Sequence, residues 1–124
     1  MSTAAPTTTR SSGPMTWHTV CTPDDITPNT GAAALIGKRQ IAIVRYVDRH
    51  GKETFYGISN WCPFAKAMVI ARGIVGSANG VPKIASPIYK QGFDLRDGRC
   101  LDDAGVCLPT YQVRIADGFV QVAV

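Results

Sequence analysis

Short stretches rich in Val, Ile, Phe and Tyr recur from Trp17 to Val124, separated by Gly, Pro, Asn and Asp. Runs of this length with turn residues between them signal β-strands rather than helices. The pattern predicts strands at 17–21, 32–36, 39–47, 54–58, 81–85, 111–115 and 119–124. Alternation within 39–47 puts Ile41, Ile43 and Arg45 on one face and Ala42, Val44 and Tyr46 on the other. Gly37-Lys38 and Ala116-Asp117-Gly118 read as hairpin turns, the Asp-Gly pair being a strong signal. Thr22-Pro23-Asp24-Asp25 supplies an N-cap, a Pro at the first helical position and an acidic first turn, predicting a short helical segment. Residues 66–74 fit either a short helix or an extended segment. Gly73, Gly76 and Gly80, with Ser77 and Asn79, predict a mobile excursion, and 101–109 a polar connection. Turn signals about every eight to twelve residues predict an all-β fold of sandwich or small-barrel type.

Composition narrows the class. A chain of 124 residues, 45% hydrophobic and 18% charged, suits one domain with a modest core and excludes wholesale disorder. No stretch approaches the roughly 20 apolar residues that span a bilayer, and the N-terminus has no apolar export signal, so a cytoplasmic protein is expected. Residues 1–14 are Ser, Thr, Ala, Pro and Gly with Arg10 as the only charge, predicting a flexible tail ahead of a domain over 15–124.

Charge is placed unevenly. Of the net +4, none of the compensating acid falls between Thr54 and Phe93, where Lys66, Arg72, Lys83 and Lys90 lie. A positive region of this kind steers acidic partners, or is simply a solvated face.

Candidate chemistry is sparse. Cys21, Cys62, Cys100 and Cys107 follow no metal-binding spacing and read as free thiols, although Cys100 and Cys107 could approach across a loop. His18 and His50 form no paired-ligand motif. No nucleophile elbow or phosphate-cradling glycine loop is present, and Cys62 has no nearby His to activate it. The expectation is no catalytic residue and no metal ligand.

The informative stretch is 60–95. It opens with Asn60-Trp61-Cys62-Pro63-Phe64 and closes with Ser86-Pro87-Ile88-Tyr89-Lys90-Gln91-Gly92-Phe93-Asp94-Leu95. These two Pro-bearing loops resemble the cluster-binding loops of the Rieske family, C-P-H and C-P-x-H-G, whose two Cys and two His hold a [2Fe-2S] cluster. Over that pattern Cys62 matches the first Cys, Phe64 stands at the first His, Ser86 at the second Cys, Tyr89 at the second His and Lys90 at the Gly. Phe has no lone pair, and Ser and Tyr oxygens are poor substitutes for thiolate and imidazole. With Val20-Cys21-Thr22-Pro23-Asp24-Asp25-Ile26, Gln40-Ile41-Ala42-Ile43 and Lys90-Gln91-Gly92-Phe93, the chain resembles the small subunit of NAD(P)H-dependent nitrite reductase, a Rieske-like domain lacking the ligand set.

The resemblance implies a Rieske-like all-β sandwich or small barrel with a two-loop subdomain at about 60–95 and no cluster. It implies a non-catalytic role in reducing nitrite to ammonium for nitrogen assimilation, supporting a large subunit that carries FAD, sirohaem and an iron–sulfur cluster. No cofactor is expected on this chain. Trp61, Lys66, Tyr89 and Lys90 are the candidate docking residues, with Phe64 filling the cluster's volume. One alternative is a ferredoxin-like carrier whose unorthodox cluster draws on Cys62 with Cys100 and Cys107, or on Tyr89. Another, single-stranded nucleic-acid binding through Trp61 and Tyr89, is disfavoured by the few basic residues and the lack of repeated aromatics.

Overall fold

The computed structural model describes residues 16–88 and 90–124. The N-terminal tail and Tyr89, both singled out by the sequence, lie outside the described residues. Among the described residues twelve strands form, all pairings are antiparallel, and the only helical pieces are two 3₁₀ turns, Pro23–Asp25 and Ile70–Arg72. The strands are β1 (Trp17–Cys21), β2 (Thr30–Ile36), β3 (Arg39–Val47), β4 (Glu53–Ser59), β5 (Trp61–Cys62) and β6 (Ala67–Met68). They continue with β7 (Ile74–Ala78), β8 (Val81–Ala85), β9 (Gly92–Asp94), β10 (Thr110–Tyr111), β11 (Val113–Ala116) and β12 (Phe119–Ala123).

Four sheets result: β1-β12-β11, β10-β4-β3-β2, the small β5-β6 pair, and β7-β8-β9. The four-stranded sheet is the middle layer. On one side Ile41 and Ile43 meet Ile26, Val120 and Val122 of the three-stranded sheet and its flank. On the other, Ala42, Val44 and Ile58 meet Cys62, Ile70, Ile84, Phe93 and Leu95 of the loop-bearing half. The two faces expected of β3 therefore enter two different cores, and Ile41 through Val44 are all buried. A strand covered on both sides reads as a continuous apolar run, which is why Ile-Ala-Ile-Val sits here.

Turn chemistry sets the registers. Gly37 (φ +61°) closes the two-residue β2–β3 hairpin. Asp117 (φ +54°) and Gly118 (φ +80°) close β11–β12 as the Asp-Gly signal predicts. The expected excursion over 73–80 is instead strand β7, paired with β8 through Asn79 (φ +52°) and Gly80 (φ +81°). Asn-Gly is itself a strong hairpin signal, obscured here by the surrounding glycines. Gly73 serves close packing rather than mobility, since any Cβ there would run into the Ala85 carbonyl. The undecided stretch 66–74 resolves into β6, the second 3₁₀ turn and the start of β7. The short helical segment forms as expected, with the Asp25 carboxylate accepting from Thr22 N and Oγ1 at 2.9 and 3.0 Å.

β9 ends on a buried charge. Asp94 is 1% exposed, and its carboxylate accepts from Arg96 N (2.9 Å), Nε (3.1 Å) and an Arg96 terminal nitrogen (2.9 Å). Burial pushes the Asp94 carboxyl up, but these hydrogen bonds and the arginine charge outweigh it and hold it below the ordinary range. A carboxyl lowered on folding stabilises the native state above its unfolded value and loses that contribution as pH falls through the folded one. Asp94→Asn should thus cost about 1–2 kcal/mol near neutral pH, and the gap to wild type should close in acid. Urea unfolding of both proteins from neutral pH down to the pH where Asp94 itself protonates checks this; a gap that stays constant would remove the pair from the acid response.

Candidate functional site

The two loops leave neighbouring hairpins of the loop-bearing half, and Asn60 fixes the base of the first. Its side chain is buried; Oδ1 accepts from Ala71 N at 2.7 Å and Nδ2 donates to Gln40 Oε1 at 3.1 Å. Its main chain bonds Gln40 O (3.0 Å) and Ile70 N (3.1 Å). One amide thus ties β3, the end of β4 and the second 3₁₀ turn together. Sequence reading passed over this role; the available signal was a lone Asn between an apolar strand and an aromatic. Beyond Asn60, β5 and β6 pair Trp61 with Met68 and Cys62 with Ala67.

Main-chain bonds close each loop. Lys66 N donates to Cys62 O at 2.7 Å, Lys90 N to Ser86 O at 3.0 Å, and Ser86 N to Gln91 O at 2.9 Å. Both lysines are left-handed, with φ +52° at Lys66 and +65° at Lys90. This costs an L-residue about 1 kcal/mol and explains why Gly suits the position that Lys90 fills in the Rieske-type loop.

The loops do meet. The Cys62 thiol lies 3.4 Å from Ser86 Oγ, and both residues are fully buried. Ala65 N donates to the Cys62 sulfur and Ile88 N to Ser86 Oγ, each at 3.4 Å. Phe64 packs against the same core, its ring 6.2 Å from that of Phe93 at a 42° tilt. Cys62 and Ser86 therefore meet across the two loops, and Phe64 packs against the same core beside Phe93. Gln91 Oε1 is buried here without a hydrogen-bond partner.

The remaining candidates stand apart. Cys100 is buried in the same apolar core as Cys62, but Cys107 is exposed with its sulfur 3.5 Å from the Asp97 carbonyl, and all four cysteines are free. The three thiols of the ferredoxin-like alternative do not converge. His18 lies in β1 and His50 in the exposed β3–β4 turn. Among the described residues no three of His, Cys, Asp and Glu are grouped to hold a metal ion, and no helix is long and apolar enough to cross a membrane.

The outer surface of the loops is apolar and basic. Trp61 is 40% exposed beside its exposed ladder partner Met68, and Ile88 is exposed next to the Ser86 contact. Lys66 and Lys90 are exposed where the loops turn. Met68 and Ile88 were not among the sequence candidates: Met68 lies in the undecided stretch 66–74, and Ile88 sits in the second loop between the matched positions Ser86 and Tyr89.

Known proteins resemble the chain over most of its length. Residues 16–123 match the Rieske-like [2Fe-2S] domain family. The nitrite reductase (NADH) small subunit of Escherichia coli K12 is 41% identical over 106 residues, 86% of this chain and 95% of that protein. The NMR structure of the E. coli protein NirD superposes with a TM-score of 0.79 at 37% identity, covering 89% of this chain and 97% of that one. The nitrite reductase [NAD(P)H] large subunit of Klebsiella oxytoca contains a stretch 37% identical to 86% of this chain, which spans 11% of that protein.

Asn60→Ala would leave the Ala71 amide and the Gln40 side chain, both part-buried, without their partner. The expected cost is about 2–3 kcal/mol, read as a lower denaturant midpoint at unchanged slope. A loss within experimental error would mean that water replaces the amide.

Proposed function

The chain belongs to the Rieske-like [2Fe-2S] domain family and, within it, to the small subunits of NADH-dependent nitrite reductase, and on that premise we propose that it is a cluster-free, non-catalytic docking subunit. The supporting observation is the interior of the two loops. Cys62 is the only thiolate donor among Cys62, Phe64 and Ser86, and Phe64 offers carbon alone. A [2Fe-2S] cluster needs a second thiolate and two imidazoles. The Ser86 hydroxyl already faces Cys62, and the Phe64 ring fills space beside Phe93. The residues present do not fit the cluster that the family name implies, and no electron-transfer step runs through this chain.

The partner in this reading is the large subunit, whose flavin, sirohaem and iron–sulfur cluster carry electrons to nitrite in the cytoplasm. The stretch of similar sequence inside the Klebsiella large subunit supports the pairing, since one domain occurs both as a separate chain and joined to its partner. Docking uses the tip: Trp61 as a half-exposed aromatic anchor together with Lys66 and Lys90, with Tyr89 as the remaining candidate from the sequence. Aromatic anchors carry much of the energy of an interface, and the acid-free segment from 54 to 93 steers an acidic partner surface.

Two measurements test this reading. Purified protein should contain no stoichiometric iron and no visible absorption; about two iron atoms per chain with a paramagnetic reduced state would revive the carrier alternative. Trp61→Ala combined with Lys90→Glu should weaken binding to the large subunit by roughly thirtyfold or more while circular dichroism stays unchanged. The part due to charge should be larger at low salt. Unaltered affinity in the folded variant would move the docking face onto the β core.

A further inference from the structure

We infer that the free edge of β2 is a self-association surface, on which a second copy of this chain pairs β2 to β2 in antiparallel fashion about a two-fold axis at Ala33. This surface is separate from the loop tip and does not depend on the docking reading. β2 is an edge strand of the four-stranded sheet, and β1 is an edge strand of the β1-β12-β11 sheet. The two do not close on each other: a cleft of about 590 Å³, lined by residues 18–21 of β1 and 32–37 at the end of β2, lies between them.

The ladder fixes which groups face outward. Asp48 N bonds Lys52 O, and Asn60 N bonds Gln40 O, so even-numbered residues of β3 direct their peptide groups toward β4 and odd-numbered ones toward β2. The odd-numbered partners on β3 face Thr30, Ala32, Ala34 and Ile36. The peptide groups of Gly31, Ala33 and Leu35 therefore point away from the sheet.

These three are symmetric about Ala33. A second β2 laid antiparallel places Ala33 opposite Ala33 and Gly31 opposite Leu35 in both directions, forming about six main-chain hydrogen bonds at two per pair. Leu35, 70% exposed, would then lie beside the glycine of the other copy and against Ala71, which already crowds that glycine.

Composition permits the pairing and charge orients it. Edge strands are ordinarily guarded by Lys, Pro or a bulge, whereas Thr-Gly-Ala-Ala-Ala-Leu-Ile has no charge and no Pro, and its register with β3 is unbroken. Exposed Lys38 and Arg39 lie just beyond one end of β2, and exposed Asp24 and Asp25 precede the other. An antiparallel two-fold arrangement brings each basic end toward the other copy's acidic end, as a self-complementary interface requires. A seven-residue strand is at the small end of specific interfaces, so the dimer is weak and depends on concentration.

Sedimentation velocity on the full chain, from micromolar to millimolar, should show the mass rising toward that of two copies. Ala33→Lys and Ala33→Glu, at an exposed position, should each keep the fold by circular dichroism. Each sets like charges face to face and should weaken association roughly fivefold or more, while an equal mixture of the two should restore it. In wild type, the Ala33 and Leu35 amides should gain hydrogen-exchange protection as concentration rises. A wild type that stays monomeric at millimolar concentration overturns the inference. So do association undiminished in both charge variants, failure of the mixture to recover, and exchange at these amides that ignores concentration.

Discussion

Burial of β3 on both faces is the constraint on which the rest of the structure depends. Ile41 and Ile43 fill the core toward the three-stranded sheet, while Ala42 and Val44 lie against the loop-bearing half. The bulky and small side chains are sorted by side. A slip of one residue would exchange the two sets between the two cores, so the register is strongly specified. Fully burying such side chains is worth about 1.5–3 kcal/mol each, and both cores draw on a single strand. The residue just before this run, Gln40, holds Asn60, so the strand that organises the fold also anchors the first loop.

Much of the architecture was legible because it rests on local chemistry. The two-sided pattern of β3, the Gly37-Lys38 and Asp117-Gly118 turns and the Thr22-Pro23 helix start each follow from neighbouring residues, and each forms as read. Misreading began where one residue type has two uses. Gly73 makes room for a neighbouring strand, and Asn79-Gly80 turns a hairpin, yet together with Gly76 they resemble a flexible linker. β9 was hidden because only three residues of it pair, with Lys83, Ile84 and Ala85 before it and a single bridge from Phe93 to Cys100 after it.

The site was legible in identity and not in contact. That Cys62, Phe64 and Ser86 belong together came from the loop pattern, and the structure adds the 3.4 Å thiol–hydroxyl approach and the Phe64–Phe93 packing. The role of Asn60 and the exposure of Met68 and Ile88 follow from three-dimensional neighbours, which no spacing in the chain encodes. The interior between the loops is buried, with Cys62 and Ser86 in contact, while Trp61, Lys66, Met68, Ile88 and Lys90 are exposed outside it.

The loops owe their shape to the main chain. The bonds that close them run from Lys66 N, Lys90 N and Ser86 N to carbonyl oxygens, and Asn60 secures the base from below. Those closures run from main chain to main chain, and the side chains of Cys62 and Ser86 add only the longer 3.4 Å contacts from Ala65 N and Ile88 N. The crown can therefore change its chemical vocabulary while its outline stays put: a metal-holding set, an aromatic plug or some third arrangement would be presented at the same height and angle to whatever meets it. Such decoupling makes the tip a replaceable fitting on a fixed mount.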